Sequence, residues 1–82
     1  MTARETLIGK KILDALHALD SGQAHTLAIH ADVGGYTLCS GTEFDAVMAE
    51  LSTRRYVVGI KSKHRGMLWN ISDAGEAARL EM

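Results

Sequence analysis

The sequence has no proline, one cysteine and no long apolar run. Because Cys39 has no second cysteine to pair with, an internal disulfide is excluded and a reducing cytoplasm is the expected compartment. No apolar run approaches the roughly 20 residues that a membrane-spanning helix needs. The first residues, MTARETLIGKKIL, do not have the pattern of a signal peptide. We therefore expect no association with a membrane.

The chain also lacks the residue patterns of metal, cofactor and catalytic sites. Its four histidines and Cys39 show neither C-x-x-C nor H-x-x-x-H spacing, so no metal is expected. The glycines match neither G-x-G-x-x-G nor G-x-x-x-x-G-K-[ST], so no cofactor is expected. No carboxylate pair is placed for acid–base chemistry, and Cys39 is expected to be a small buried side chain. The sequence therefore predicts a protein that is not an enzyme.

Basic residues are concentrated in one short stretch, RRYVVGIKSKHRG, residues 54–66. The chain has a formal net charge of −1, yet this stretch holds five of its nine Lys and Arg and no Asp or Glu. The remaining residues carry four basic and ten acidic side chains. Such an asymmetry indicates either an acidic partner for this stretch or an ordinary solvated loop.

Apolar spacing predicts a first helix over residues 4–19. Thr2 is positioned to cap its start, with Glu5 three residues later as in a capping box. The sequence DSG at 20–22 is expected to end it. The apolar face consists of Ile8, Ile12, Ala15, Leu16 and Leu19.

Residues 26–33 predict a short second helix, with Thr26 as its N-cap. Their apolar residues also alternate, so a strand is the other interpretation. Gly34 and Gly35 end either element. His25 and His30 are expected to be ordinary polar residues around this helix.

The strongest helical pattern covers residues 40–55. Ser40 and Glu43 form an S-x-x-E capping box, and a helix is expected from about Gly41 to about Arg55. Its single apolar face consists of Phe44, Val47, Met48 and Leu51.

The remaining residues predict a β-hairpin followed by a helix. Residues 56–60 and 67–71 have strand composition, and the polar turn KSKHR with Gly66 joins them closely enough for an antiparallel pair. Ser72 is expected to cap a last helix over DAGEAARLEM. The order is therefore three helices, two strands and one helix.

Two stretches resemble parts of a known superfamily. AVMAELSTRRYVVGI, 46–60, is similar to a recognition helix that runs into the first wing strand of a winged helix-turn-helix domain. GMLWNISDAGEAARL, 66–80, is similar to the returning wing strand followed by a capping serine, a glycine and a short helix. The matching positions are Leu51, Tyr56, Ile60, Trp69, Ile71, Ser72 and Gly75.

The resemblance implies an α+β fold in one domain, residues 1–82. It implies a three-helix core, a two-stranded β-hairpin wing and a short C-terminal helix. For function it implies a small DNA-binding transcriptional regulator that binds double-stranded DNA with its third helix in the major groove. Wing cations would neutralise phosphates without reading the base sequence. We also expect a homodimer, joined through the first or the last helix.

The candidate DNA-binding residues form two sets. The residues expected to contact the phosphate backbone are Arg54, Arg55, Lys61, Lys63, His64 and Arg65. The candidates for contacts in the groove are Thr42, Ser52 and Thr53.

The third helix departs from the expected pattern because residues 37–53 hold three acids and no base. Capping accounts for Glu43, and Glu50 is spaced to pair with Arg54 at i, i+4. An acidic helix in a phosphate-lined groove is nevertheless repelled. The alternative function is therefore a winged helix adaptor for a protein partner, such as a viral or mobile-element accessory protein, that binds through this acidic helix.

Overall fold

A computed structural model describes residues 2–19, 23–63 and 66–82. Within these ranges the protein is α+β, with four α-helices, a 3-10 turn and three antiparallel strands. The elements are α1 (Ala3–Ala18), β1 (Ala24–His25), α2 (Thr26–Asp32), the 3-10 turn (Gly35–Thr37), α3 (Gly41–Thr53), β2 (Val57–Ser62), β3 (Gly66–Ile71) and α4 (Asp73–Glu81). The sheet order is β1-β3-β2, so β3 is the central strand.

The predicted capping box of α1 is confirmed. The Thr2 hydroxyl accepts from the Glu5 backbone N–H at 3.1 Å, and the Glu5 carboxylate accepts from the Thr2 N–H at 3.0 Å. The two bonds satisfy donors that the first turn of a helix leaves unpaired. The helix ends at Ala18, and the predicted stop at 20–22 lies outside the described residues.

The second predicted element is a helix, Thr26–Asp32, and the strand interpretation is wrong. Thr26 is not its N-cap: that position belongs to His25, whose side chain makes no capping bond. The Thr26 hydroxyl instead accepts from the indole Nε1–H of Trp69 at 2.8 Å. This bond ties α2 to the sheet. A short strand that the sequence did not predict, β1, directly precedes Thr26. It pairs with β3 through Ala24 and His25.

The helix α3 begins as predicted and ends earlier than predicted. Its Ser40 hydroxyl accepts from the Glu43 backbone N–H at 3.1 Å. The reciprocal half of the predicted box is replaced, because the Glu43 carboxylate accepts from Arg4. The helix stops at Thr53, two residues before Arg55. Its predicted apolar face is confirmed as fully buried: Phe44, Val47, Met48 and Leu51.

The predicted antiparallel hairpin is confirmed, and it is longer than predicted. The register runs from Val57 opposite Ile71 to Ser62 opposite Gly66. Lys61 is therefore a strand residue opposite Met67 rather than part of the turn.

The core lies where the apolar faces of α1 and α3 meet, with α2 and the sheet packed around them. His30 is in this core, and the prediction of an ordinary polar position for it is wrong. Its side chain is 5% exposed, and its ring stacks on Phe44 with centroids 4.6 Å apart. Its Nε2 lies 3.0 Å from the carbonyl oxygen of Cys39. Cys39 is buried as predicted, and burial raises the pKa of its thiol.

Neither a membrane-spanning helix nor a cluster of metal-binding side chains is present in the described ranges. No helix in them combines the length and the apolar character that crossing a bilayer requires. Nor do they bring three or more His, Cys, Asp or Glu side chains together in a way that would hold a metal ion.

The start of α4 packs on the backbone between α3 and β2. The Ser72 hydroxyl accepts from the Gly75 N–H at 3.0 Å, which confirms Ser72 as the cap. Gly75 is buried in the first turn. A Cβ at this position would overlap the carbonyl oxygen of Tyr56 and would lie 2.8 Å from Cγ1 of Ile71. Only glycine therefore lets α4 approach this closely.

Gly75→Ala should lower the free energy of unfolding by about 1–3 kcal/mol, because α4 must move away from Tyr56. Helix propensity alone predicts the opposite sign, since alanine favours a helix by about 1 kcal/mol over glycine. Urea unfolding measures the change. The control is Ala74→Gly at the adjacent exposed position, which should lose only the propensity difference. A raised urea midpoint for Gly75→Ala would contradict the close contact.

Candidate nucleic-acid interface

The junction between α3 and β2 is a left-handed turn at Arg55, whose φ is 63°. The Arg55 N–H donates to the carbonyl of Ser52 at 3.0 Å, and the Tyr56 N–H donates to the carbonyl of Leu51 at 3.0 Å. These two bonds form a Schellman motif, in which the left-handed position is usually glycine. An L-residue other than glycine in this conformation costs about 1–2 kcal/mol. The arginine is therefore held in an unfavourable backbone conformation.

A second element fixes the same junction. The Ser72 hydroxyl lies 2.6 Å from the carbonyl oxygen of Arg55 and 3.0 Å from that of Tyr56. The Ser72 N–H donates to the Tyr56 carbonyl at 3.0 Å. Contacts from α3 on one side and from α4 on the other therefore determine the backbone at Arg55. Its side chain is exposed to solvent.

The hairpin carries two further described candidates, Lys61 and Lys63. Both side chains are exposed. Side chains alternate along a strand, so Lys61 is on the same face of β2 as the buried Val57. Lys63 follows β2 in the turn. The other two hairpin candidates, His64 and Arg65, lie outside the described residues.

The structure arranges the described candidates along β2 rather than in one cluster. Arg54 and Arg55 are at the base of the hairpin, and Lys61 and Lys63 are near its tip. Lys61 lies six positions after Arg55, which corresponds to about 20 Å in an extended chain. The described cations therefore extend from the base of the hairpin towards its tip.

Ion pairs divide the basic residues of the described chain into two groups. Four lie within 3.3 Å of a carboxylate oxygen: Arg4, Lys10, Arg54 and Arg79. The other four have no ion-pair partner in the part of the chain that the structure describes: Lys11, Arg55, Lys61 and Lys63. Among the described residues, three of the four cations without an ion-pair partner thus lie between residues 55 and 63. Arg54 differs from its neighbour because Glu50 holds its Nε at 2.9 Å, as the i, i+4 spacing predicted.

The outward face of α3 consists of small side chains. Thr42, Ala46, Ala49 and Thr53 recur at helical spacing opposite the buried face, and all are exposed. The Thr53 hydroxyl donates to the Ala49 carbonyl at 2.9 Å, so its proton is already used within the helix. Ser52 is exposed on one flank of this face. A face of this kind allows close approach to another surface and offers few long polar side chains.

Arginines offset two of the three acids of α3. Glu43 accepts from Arg4 Nε at 2.6 Å and from Arg4 Nη2 at 2.9 Å, and this arginine holds the pKa of the Glu43 carboxyl below its usual range. Glu50 is paired with Arg54. Asp45 is exposed and makes no ion pair with any described residue. The helix is consequently less negative towards a neighbour than its sequence indicates.

No sequence pattern indicated a role for Arg4. Its partner is 39 positions away, and no local spacing rule relates residues at that separation. The three acids of α3 were the feature of the sequence that could have indicated such a partner, because a cation near clustered carboxylates favours their charged form.

Arg55→Gly should raise the free energy of unfolding by about 0.5–1 kcal/mol, because glycine adopts the left-handed conformation without strain. Urea unfolding measures the change. Arg54→Gly is the control: Arg54 has φ −80° and pairs with Glu50, so this variant should be less stable than the wild type. Equal destabilisation by both changes would contradict the strain assigned to Arg55.

Comparisons with known proteins return nothing that identifies this interface: no family model matches the chain, and neither a characterised protein nor a solved structure does.

Proposed function

We propose that the chain is a small DNA-binding regulator of the cytoplasm, built as a winged helix-turn-helix domain. The order of its elements supports the proposal. The helices α2 and α3 follow one another across residues 33–40, which include the 3-10 turn, and the hairpin of β2 and β3 comes after α3. In a helix-turn-helix the second of two such helices is the recognition helix, which here is α3, and the hairpin is the wing.

The observation that carries the proposal is the distribution of unpaired cations. Carboxylates elsewhere neutralise four basic side chains, while Arg55, Lys61 and Lys63 have no ion-pair partner within the described ranges. Cations without an ion-pair partner in the described chain that extend about 20 Å from Arg55 to Lys61 suit a phosphate backbone better than a single small anion. His64 and Arg65 lie outside the described residues and are candidates from the sequence alone.

The exposed face of α3 is suited to the major groove. That groove is about 12 Å wide and admits one helix. The small side chains of Thr42, Ala46, Ala49 and Thr53 let the helix backbone come close to the bases. Alanine and threonine methyl groups contact the thymine methyl, and serine or threonine hydroxyls bond to any base edge. Ser52 and Thr42 supply such hydroxyls. Two copies bound as a homodimer would read two half-sites.

Duplex binding should depend steeply on salt. With four or five phosphate contacts, log K against log salt falls with a slope of roughly −4. Lys61→Ala combined with Lys63→Ala should reduce the magnitude of the slope by about 2, and it should weaken binding to all duplexes about equally. Fluorescence anisotropy of a labelled duplex over a salt series measures both effects.

The control for that pair is Lys10→Ala combined with Lys11→Ala, which removes the same charge from α1. Its slope should stay within experimental error of the wild-type slope. Equal loss of slope in both double variants would show that net charge, and not the hairpin, controls binding. Absence of wild-type binding to any duplex at low salt would contradict the proposal.

Arg55→Gly should weaken duplex binding several-fold and reduce the slope by about 0.9, the value for one phosphate contact. The same variant is expected to be more stable than the wild type, so misfolding cannot account for a loss of affinity. Unchanged affinity would remove Arg55 from the interface. The measurement uses the same anisotropy series.

A protein-binding adaptor is the second candidate function, and β2 provides the observation that favours it. Val58 and Ile60 are about half exposed on the outer face of this edge strand. An exposed apolar strand at a sheet edge is a common contact surface for proteins. The acidic α3, on which this alternative first rested, has only Asp45 without an ion-pair partner among the described residues.

A further inference from the structure

The first turn of α1 reaches the first turn of α3 through Arg4. Its guanidinium binds both carboxylate oxygens of Glu43, with Nε to Oε2 at 2.6 Å and Nη2 to Oε1 at 2.9 Å. Nη2 also donates to the carbonyl of Leu38 at 2.9 Å. This is the bidentate geometry in which arginine pairs most strongly with a carboxylate. The contact is well defined, although the Arg4 side chain is 59% exposed.

The position of Glu43 makes the pair relevant to the proposed DNA interface. Glu43 and Glu50 are seven residues apart and therefore lie on the same flank of α3. This flank borders the small-residue face, since Ala46 follows Glu43 by three positions. An unneutralised carboxylate here would lie next to any phosphate chain that borders the groove occupied by α3. Like charges at such distances repel, and the repulsion is strongest at low salt.

We propose that Arg4 is a positioning residue for DNA binding: it neutralises and holds Glu43, so that α3 can enter a phosphate-lined groove. This inference rests on the proposed DNA-binding function. Arg4 acts through Glu43 and does not itself contact phosphate. Arg54 neutralises Glu50 in a similar way, but these two residues are neighbours at the C-terminal end of α3. Arg4 differs because it comes from another element and carries no local sequence pattern.

The test is a double-mutant cycle measured by duplex binding at low salt. Arg4→Ala should weaken binding about fivefold or more, because Glu43 is left as a free charge. Glu43→Gln alone should strengthen binding by a few-fold, because Arg4 is then an uncompensated cation. The double variant Arg4→Ala/Glu43→Gln should return to within about twofold of the wild type, with the wild-type salt slope.

The cycle separates charge from structure. The double variant lacks both the Glu43 pair and the Leu38 contact, so restored affinity cannot come from a restored clamp between α1 and α3. Lys10→Ala is the matched control, since Lys10 is also an α1 cation paired with a carboxylate, Asp14. Its affinity should stay within about twofold of the wild type. Thermal unfolding of each variant checks that the fold is retained.

Three results would overturn the inference. If Arg4→Ala binds like the wild type, Glu43 does not lie near phosphate. If the double variant stays as weak as Arg4→Ala and its slope falls by about 0.9, Arg4 contacts phosphate directly. If the wild type itself binds no duplex, the proposed function fails, and the role of Arg4 fails with it. The first two results leave DNA binding intact, so the two failures are distinguishable.

Discussion

The backbone junction at Arg55 and Tyr56 determines how the parts of this molecule are arranged. The Schellman bonds of α3 end the helix there, and the left-handed Arg55 redirects the chain into β2. Ser72 binds both carbonyls from the other side, and Gly75 allows α4 to pack against them. One short segment thus fixes the angle between the helix, the hairpin and the last helix. Because the candidate interface combines α3 with the hairpin, its geometry depends on this junction.

Ion pairing is a second constraint, and it determines how charge is distributed over the surface of the protein. The described helices contain most of the acids of the chain, and their carboxylates hold Arg4, Lys10, Arg54 and Arg79. Exposed pairs of this kind contribute little to stability. Their larger effect is on the surface field, because they cancel charge on the helices and leave the hairpin cations uncancelled. An acidic protein can in this way present a locally basic edge.

The features that the sequence predicted are those that short-range patterns encode. The caps at Thr2, Ser40 and Ser72, the buried face of α3 and the hairpin all depend on residues within a few positions of one another.

The features that the sequence did not predict depend on distant partners. Thr26 bonds to Trp69, 43 positions away, which removes it from its expected capping role. His30 is buried because Phe44 and Cys39 come to it from outside α2. For the candidate site, the basic stretch was visible in the sequence, but the separation of paired from unpaired cations required the fold.

Arg55 belongs both to the strained backbone junction and to the cations that have no ion-pair partner in the described chain. Glycine at this position would relieve about 1 kcal/mol of backbone strain and would complete the usual Schellman motif. Backbone bonds from α3 and the Ser72 hydroxyl hold Arg55 in this conformation, whereas its exposed side chain makes no ion pair within the described chain. The proposed DNA binding would give this exposed arginine a contact outside the molecule. Under that proposal the partner is a backbone phosphate, because a guanidinium binds phosphate oxygens in a bidentate geometry.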